Sequence, residues 1–312
     1  MKKLFKLLLS IAIIFNLTFP GFAFDLGFAK EDGGKAGAFL SYGAGVRSLA
    51  MGRAYTAVSN DASAVYSNPA GLMQLQREQI TLLHSILWED TNYNFVSYAK
   101  PLEDSAIGIG LVNLSSTNFD KRDQFNYPIG SADLSENALL LSYAKIYKGI
   151  LVGTTVKAVQ QKIDNYSGTG FGVDAGALYA LTDRLWFGAN LQNIIPPMIK
   201  LNTDTDQYPI TLNLGASCDI SEKVLLSSDF VFTAGRNPKL RIGAEYTPLK
   251  MFSIRAGINE TEVTAGFGIT WKELEIGYAF SYHDALAGYT DLGSSHRFGI
   301  TYNFGKPCFN KK

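Results

Sequence analysis

The sequence is poor in three features that would point to common protein classes. Its 312 residues include only 2 Cys, too few for a disulfide framework or a four-cysteine zinc site. Its 28 Lys and Arg are balanced by 28 Asp and Glu, whereas a nucleic-acid-binding protein usually has a clustered basic excess. Beyond residue 24 there is no apolar run near the roughly 20 residues that a membrane-spanning helix needs. We therefore expect neither a nucleic-acid partner nor a polytopic helical membrane protein.

Glycine and aromatic residues, in contrast, are abundant. The chain has 30 Gly, 20 Phe and 16 Tyr, and charged residues make up only 18% of it. Glycine and aromatic residues are weak helix formers, and aromatic residues favour strands. The composition therefore favours extended, aromatic-rich structure.

Residues 1–23 have the features of a secretory signal peptide. Lysines precede the apolar stretch 7–19, and the small residues Gly21 and Ala23 precede the expected cleavage site. The apolar stretch is shorter than a spanning helix, which makes a membrane anchor the less favoured alternative. We expect a mature chain that starts near Phe24 and lies outside the cytoplasm. If that mature chain is in a membrane, it must cross as a β-barrel.

From residue 79 to residue 304 apolar residues alternate with small or charged ones. The alternation is clearest in 240–246, 252–258 and 274–280, and a period of two is typical of strands. Fourteen strands fit this stretch. The turns after even-numbered strands are minimal, whereas the long connections 115–135, 194–207 and 283–294 all follow odd-numbered strands.

This sorting of loops separates a barrel from a soluble sandwich. Bacterial outer-membrane barrels have short turns at one end and longer loops at the other, with girdles of aromatic residues, and a sandwich has no reason to sort its loops. The sequence therefore predicts an all-β fold, a transmembrane antiparallel β-barrel of about 14 strands over 79–304. An N-terminal hatch or plug segment, 24–78, precedes it, and a C-terminal tail, 305–312, follows.

Six charged residues fall on the small-residue faces of predicted strands. They are Lys157, Asp174, Arg241, Glu245, Arg255 and Glu275. These side chains should face the lumen, where opposite charges mostly pair across strands. As an alternative, Arg241 and Arg255 on neighbouring strands hold an anionic head group.

Signals for catalysis are weak. The sequence has no G-x-S-x-G, H-E-x-x-H or C-x-x-C motif, and its three histidines are scattered, which predicts no metal site and no cofactor. His84 lies next to Ser85, but adjacent strand residues point to opposite faces. We expect a protein that is not an enzyme, with an outer-membrane lipid hydrolase as the least favoured alternative.

The segment 41–78 reads SYGAGVRSLAMGRAYTAVSNDASAVYSNPAGLMQLQRE. Asp61 is placed to cap a short helix from Ala62, and the run Asn68-Pro69-Ala70-Gly71 is typical of a helix stop and turn. In this order, GVRSLAMG, NDAS and NPAGL resemble the N-terminal signature of the PorV/PorQ family within the FadL-like outer-membrane protein superfamily. FGANLQNI at 187–194 and HRFGITYNF at 296–304 look like later strands of that family.

The resemblance covers essentially all of the mature chain. It implies a barrel whose hatch includes Asp61 and the turn 68–71, with Asn68 and Asp61 hydrogen-bonded to lumen-facing barrel residues. It also implies a protein that binds hydrophobic compounds and passes them across the bacterial outer membrane without catalysis. The alternative is a type IX-like secretion cargo shuttle or a structural barrel. The implied partners are outer-membrane lipid with either a hydrophobic small-molecule ligand or secreted protein cargo and secretion-system subunits.

One feature departs from the usual pattern of outer-membrane barrels. These barrels commonly end on an aromatic residue that the insertion machinery recognises, whereas here Phe304 is followed by the tail GKPCFNKK.

Overall fold

The structure is a computed structural model, and it describes residues 35–87, 91–282 and 294–308. The predicted signal peptide, residues 1–23, lies outside these ranges, as does most of the predicted loop 283–294. Within the described ranges, no helix is both long and apolar enough to cross a membrane.

Fourteen antiparallel strands close into one barrel. They are β1 (Glu78–Ile86), β2 (Thr91–Pro101), β3 (Ser105–Arg122), β4 (Pro128–Tyr147), β5 (Ile150–Ile163), β6 (Tyr166–Thr182), β7 (Leu185–Ile195), β10 (Thr211–Ser221), β11 (Val224–Thr233), β12 (Lys239–Leu249), β13 (Phe252–Ile258), β14 (Val263–Trp271), β15 (Leu274–Tyr282) and β16 (Ser294–Phe304). Because β1 pairs with β16, the sheet keeps no open edge. The predicted all-β antiparallel barrel of 14 strands is confirmed.

The two faces of the barrel wall differ in the way the alternation predicts. On β15, Gly277, Ala279 and Ser281 are buried, whereas Ile276 and Tyr282 are exposed on the outer surface. Large apolar side chains are exposed in the same way on most other strands. The wall therefore has small or polar residues inside and a broad apolar belt outside.

The predicted long loop 115–135 is wrong. Strands β3 and β4 continue through it as a hairpin, whose residues from Phe119 to Arg122 pair with Ala132 to Pro128. The apolar alternation stops there because this part of the hairpin extends past its neighbours and has no interior to face. Phe125 and Tyr127, near its tip, are exposed.

The predicted loop 194–207 instead contains a small hairpin of β8 (Met198–Lys200) and β9 (Thr205–Gln207). This hairpin packs against the inner face of β6, and Ile199 is fully buried. A Cβ atom on Gly170 would lie 2.8 Å from the Met198 carbonyl oxygen. Glycine on β6 thus allows a connection at this end of the barrel to fold inward.

Residues 35–77, here called the N-terminal segment, occupy the barrel interior. The segment contains two short α-helices, α1 (Val46–Ala50) and α2 (Ala64–Ser67), and two 3-10 helices, Ala38–Ser41 and Pro69–Gln74. Helix α1 contacts β13 to β16, while the second 3-10 helix contacts β2 to β6 on another part of the wall. Leu49 and Leu72 are fully buried, and the main apolar core forms where this segment packs against the barrel wall.

Candidate functional site

The turn 68–71 is seated directly on the barrel wall. The Asn68 side-chain amide donates to the Thr56 carbonyl at 2.9 Å and to the Ala177 carbonyl on β6 at 3.2 Å. A Cβ atom on Gly176 would lie 2.0 Å from Asn68 Oδ1, so this approach requires glycine in the wall. Pro69 begins the second 3-10 helix.

Within the same turn, Ala70 and Gly71 are buried with Asn68 and Pro69. The Ala70 N–H donates to Asn68 Oδ1 at 3.2 Å. A Cβ atom on Gly71 would lie 1.8 Å from the Ser59 carbonyl oxygen. The turn is therefore closely packed on both sides, against the wall and against the rest of the N-terminal segment.

Asp61 does not cap a helix from Ala62 as the sequence predicts. Helix α2 begins at Ala64 with Ser63 as its N-cap, because Asp61 Oδ1 accepts a hydrogen bond from the Ser63 N–H and closes a local turn first. The other oxygen, Oδ2, accepts from the Tyr55 hydroxyl at 2.6 Å. Asp61 thus bonds within the N-terminal segment rather than to the wall.

Arg47 anchors the segment to the wall near the short turns. Its guanidinium donates to both Glu245 carboxylate oxygens, at 2.8 Å each. Glu245 also accepts from Arg255 at 2.6 Å, and Arg255 donates to Glu275 at 2.8 Å. Three of the six predicted lumen charges therefore form one chain of ion pairs. Arg47 joins this chain from a helix that is distant in sequence.

A second anchor involves the β13–β14 connection, residues 259–262. Arg53 of the N-terminal segment lies 3.2 Å from Glu260 Oε1, and Arg241 lies 2.9 Å from the same oxygen. Glu262 pairs with Arg297 at 2.6 Å. Burial alone would raise the pKa of Glu260, but the Arg241 and Arg53 guanidiniums hold that pKa well below its usual value.

Five residues of these ion pairs are not predicted from the sequence, namely Arg47, Arg53, Glu260, Glu262 and Arg297. The period-two pattern does indicate an inward position for Arg297, because Arg297, Gly299 and Thr301 are spaced two residues apart and share the inner face of β16. The two glutamates lie in a connection that has no periodicity. Their inward orientation follows only from the guanidiniums that they meet.

Lys157 and Asp174 form a buried pair of their own. Their side chains, on β5 and β6, meet at 2.7 Å and 2.9 Å. Asp174 Oδ1 also accepts from the backbone N–H of Asn193 at 2.7 Å. This carboxylate therefore links β6 to the end of β7, just before the inward-folded connection.

Cavities lie on both sides of the N-terminal segment. The long-loop cavity, of about 110 Å³, is lined by residues near the long connections, including Lys157, Asn193 and Arg241. Two short-turn cavities, of about 180 and 290 Å³, share Arg47 and Glu245 in their linings. The long-loop cavity has no lining residue in common with either of them. The N-terminal segment thus separates the two ends of the barrel.

Tyr55 connects the two sides of this barrier. Tyr55 is among the residues that line the long-loop cavity, while its hydroxyl accepts from Arg47 at 3.2 Å on the short-turn side. Burial raises the pKa of the Tyr55 hydroxyl well above its usual value, so it remains a neutral donor to Asp61.

Arg241 and Arg255 lie on opposite sides of the segment. Arg241 lines the long-loop cavity and Arg255 lines a short-turn cavity, and each is paired with glutamate. The two guanidiniums therefore do not form one shared head-group site.

His84 and Ser85 lie on opposite faces of β1. His84 is on the outer face with its ring nitrogen 2.8 Å from Asn94 Oδ1, while Ser85 is fully buried. Among the residues that the structure describes, no group of three His, Cys, Asp or Glu side chains is arranged to hold a metal ion. Cys218 and Cys308 are free thiols.

Comparisons with known proteins give a partial family match and a clear fold match. The model of a family described as "Uncharacterised protein family (UPF0164)" matches residues 27–172, slightly less than half of the chain. No curated protein sequence matches. Several solved barrels do match in structure.

The CymD monoaromatic hydrocarbon channel superposes with a TM-score of 0.66 at 14% identity, covering 84% of this chain and 98% of that one. The Pseudomonas putida toluene transporter TodX gives 0.63 at 15% identity, covering 83% and 97%. A Pseudomonas aeruginosa FadL homologue gives 0.59 at 13% identity, covering 83% and 98%. At these identities the likeness establishes the fold, which is that of FadL-type barrels.

Proposed function

We propose that this protein is a bacterial outer-membrane barrel that binds small hydrophobic or amphipathic compounds and passes them across that membrane. In this proposal residues 24–78 form the hatch, and passage requires the N-terminal segment to move. The protein carries out no chemistry on what it passes. Its fold is shared with the CymD monoaromatic hydrocarbon channel and the toluene transporter TodX.

The observation that carries the proposal is the position of the N-terminal segment between the cavities. Cavities lie towards both ends of the barrel, and among the described residues the N-terminal segment lies between them. It is held by side-chain ion pairs, Arg47 to Glu245 and Arg53 to Glu260, rather than by strand pairing. Such contacts can break and re-form without opening the barrel wall, which suits a gate.

The apolar belt on the outside of the barrel supports the proposed location in the outer membrane. Leu82, Val96, Leu111 and Leu141, on neighbouring strands, are each 40 to 52% exposed on the outside. Contiguous apolar surface of this extent is costly in water, and contact with lipid removes the cost.

A disulfide between the segment and the wall tests the gate. The Cβ of Val46 lies 3.7 Å from the position of a Cβ on Gly277, within the range of disulfides. In a Cys218→Ser, Cys308→Ser background, we expect Val46→Cys with Gly277→Cys to form a bond that locks α1 onto β15. Whole bacteria with this barrel in their outer membrane should then take up the hydrophobic dye N-phenyl-1-naphthylamine only after reduction.

The Val46→Cys single variant is the matched control, and reduction should not change its dye uptake. Equal uptake by the oxidised and reduced double variant would contradict a moving segment. If neither form, nor the wild type, takes up more dye than cells without the barrel, the transport proposal fails.

One observation favours the alternative, a secretion cargo shuttle or structural barrel. The β3–β4 hairpin extends beyond the neighbouring strands and exposes Phe125 and Tyr127, 70% and 68% accessible, near its tip. Exposed aromatic side chains on a projecting element are common in protein contacts. Removal of the hairpin's projecting part tests this alternative.

A further inference from the structure

Tyr55 lies where a single stretch of chain separates the cavities. Thr56 lines the long-loop cavity, and the next residue, Ala57, lines a short-turn cavity. Tyr55 is itself among the residues that line the long-loop cavity, and it is 1% exposed. Its hydroxyl meets Arg47 and Asp61, which both line a short-turn cavity. Tyr55 therefore reaches from one cavity to the residues that line the other.

The backbone at this point is fixed to the barrel wall. Asp229 Oδ2, on β11, accepts the backbone N–H groups of Tyr55 and Thr56 at 2.9 Å each and the Thr56 hydroxyl at 2.7 Å. Hydrogen bonds to a charged group are the stronger kind. A Cβ atom on Gly188 would lie 2.5 Å from the Thr56 carbonyl oxygen, so the chain is also in close contact with β7. The backbone of residues 55–56 is therefore expected to stay with the wall when other parts of the N-terminal segment move.

The Tyr55 side chain, in contrast, is held by partners from the N-terminal segment. Its hydroxyl donates to Asp61 Oδ2 at 2.6 Å and accepts from Arg47 at 3.2 Å. The Arg47 guanidinium also lies over the ring, 5.7 Å from its centroid. Because Arg47 belongs to α1, movement of that helix would take away one partner of the hydroxyl and the cation over the ring.

The long-loop cavity offers the Tyr55 ring a place to move to. Its volume of about 110 Å³ is of the order of a cavity of about 150 Å³ that takes up benzene. Apolar residues such as Leu40 and Val231 form part of its lining. Rotation between staggered rotamers moves a ring without moving the backbone. On the short-turn side, Asp61 lines a cavity, where water can replace the tyrosine hydroxyl as its partner.

We infer that Tyr55 is the residue that closes the path between the two ends of the barrel. When α1 moves, Arg47 leaves the Tyr55 hydroxyl, the ring turns into the long-loop cavity, and the path to the short-turn cavities opens. The inference rests on the proposed function and deepens it, because it assigns the closed state to one side chain. It also sets a limit on size, since the path is as wide as the space that one tyrosine ring leaves.

Ion currents through single barrels in planar lipid bilayers test the inference, because they require no hydrophobic compound. The starting protein carries Cys218→Ser and Cys308→Ser together with the oxidised Val46→Cys, Gly277→Cys bond, which holds α1 against β15. We expect this locked protein to stay closed. Adding Tyr55→Ala should raise the current by roughly tenfold or more while the lock is intact, because the constriction has lost the side chain that fills it.

Tyr208→Ala is the matched control. Tyr208 is as deeply buried as Tyr55, at 1% exposure, and it also lines the long-loop cavity. It precedes β10 and is not among the described residues that line the short-turn cavities. Its removal should widen the long-loop cavity without raising the current. Formation of the disulfide in each variant shows that α1 still lies against β15.

A second variant restores the lost bulk. In the protein with Cys218→Ser and Cys308→Ser alone, Tyr55→Cys should conduct. Benzyl methanethiosulfonate attaches a phenyl ring through the new thiol and should lower this current severalfold. A current that stays high after the ring is attached would mean that damaged packing, and not the missing ring, opens the barrel, and the inference would fail.

A locked Tyr55→Ala protein as closed as its parent would overturn the inference, as would an equal current in Tyr208→Ala. Failure of the proposed function is a separate result. If Tyr55→Ala conducts and the wild type takes up no more dye than cells without the barrel, Tyr55 closes the barrel and the transport function fails. If the wild type takes up dye and locked Tyr55→Ala stays closed, the transport function stands and Tyr55 is not the closing residue.

Discussion

At the scale of single residues, the barrel interior contains buried carboxylates that each pair with two arginine side chains. Glu245 is shared by Arg47 and Arg255, and Glu260 is shared by Arg53 and Arg241. Removing one member of a buried ion pair leaves a charge without its counterion, which costs more than the pair itself contributes. Single substitutions at the shared carboxylates should therefore have larger effects than substitutions of exposed charges.

Glu260 gives a pH-dependent prediction. Its pKa is depressed in the folded state, so its stabilising effect is fully present above the unfolded value of about 4.5 and is lost as the pH falls through the folded value. We expect Glu260→Gln to lower the free energy of unfolding by about 2 kcal/mol at pH 7. The difference from the wild type should shrink below pH 4.5, as measured by urea unfolding in lipid vesicles from pH 7 to pH 3.

The exposed Glu273, 3.9 Å from Arg77, provides the control. Glu273→Gln should change stability by less than about 0.5 kcal/mol at pH 7. If the Glu260→Gln difference stayed constant down to pH 3, the carboxylate would not be the source of the stabilisation.

At the scale of elements, the barrel end with the long connections is built in two different ways. The β8–β9 hairpin folds inward and buries Ile199 against the glycines of β6. The β3–β4 hairpin projects outward, and beyond the level of Ser116 and Leu134 its two strands pair with each other, while Lys121 contacts Asp164 in the turn between β5 and β6. One element therefore narrows the entrance, whereas the other is free to contact something outside the barrel.

Removing the projecting part of the β3–β4 hairpin should leave the channel intact. Ser116 and Leu134 are register partners, so replacing 117–133 by Asn-Gly closes a two-residue hairpin between them. We expect the variant to fold and to take up N-phenyl-1-naphthylamine like the wild type, because none of the removed residues lines the cavities.

The matched variant keeps the hairpin and carries Phe125→Ser and Tyr127→Ser. Proteins secreted by the native bacterium are compared across the three strains by mass spectrometry of the medium. Retention of the same secreted proteins inside both variant strains, in cells whose wild-type barrel takes up no more dye than cells without the barrel, would favour the cargo shuttle over the channel.

At the scale of the whole molecule, closure of the barrel joins the two ends of the strand sequence. Glu78 at the start of β1 is the register partner of Phe304 at the end of β16. The Phe304 ring stacks on Tyr302 and Tyr98 with centroids 5.9 and 6.0 Å apart. Beyond it the tail remains in contact, since the Cys308 N–H donates to the Gln76 carbonyl at 2.9 Å.

The pairing of β1 with β16 predicts that Phe304, rather than the tail after it, is needed for assembly of the barrel in the membrane. We expect Phe304→Ala to reduce the amount of folded barrel in the outer membrane severalfold, because it removes an aromatic side chain of the girdle at the closing strand. Deletion of residues 305–312 should reduce it little. The measurement is the heat-dependent gel mobility of barrel recovered from outer-membrane fractions. Loss on tail deletion with no effect of Phe304→Ala would instead make the tail the assembly signal.

The sequence by itself determined the period-two alternation, the number of barrel strands and the inner-face positions of Lys157, Asp174 and Glu245. Each of these depends on local order along a strand, because side chains alternate between faces whatever the strand pairs with. Only the tertiary structure decided the partners of those charges. Arg47 and Glu245 are 198 residues apart, and closure of the barrel around the N-terminal segment brings them together. The tertiary structure also decided the inward position of Glu260. The connection 259–262 has no periodicity, so the orientation of Glu260 depends on its ion pairs with Arg53 and Arg241.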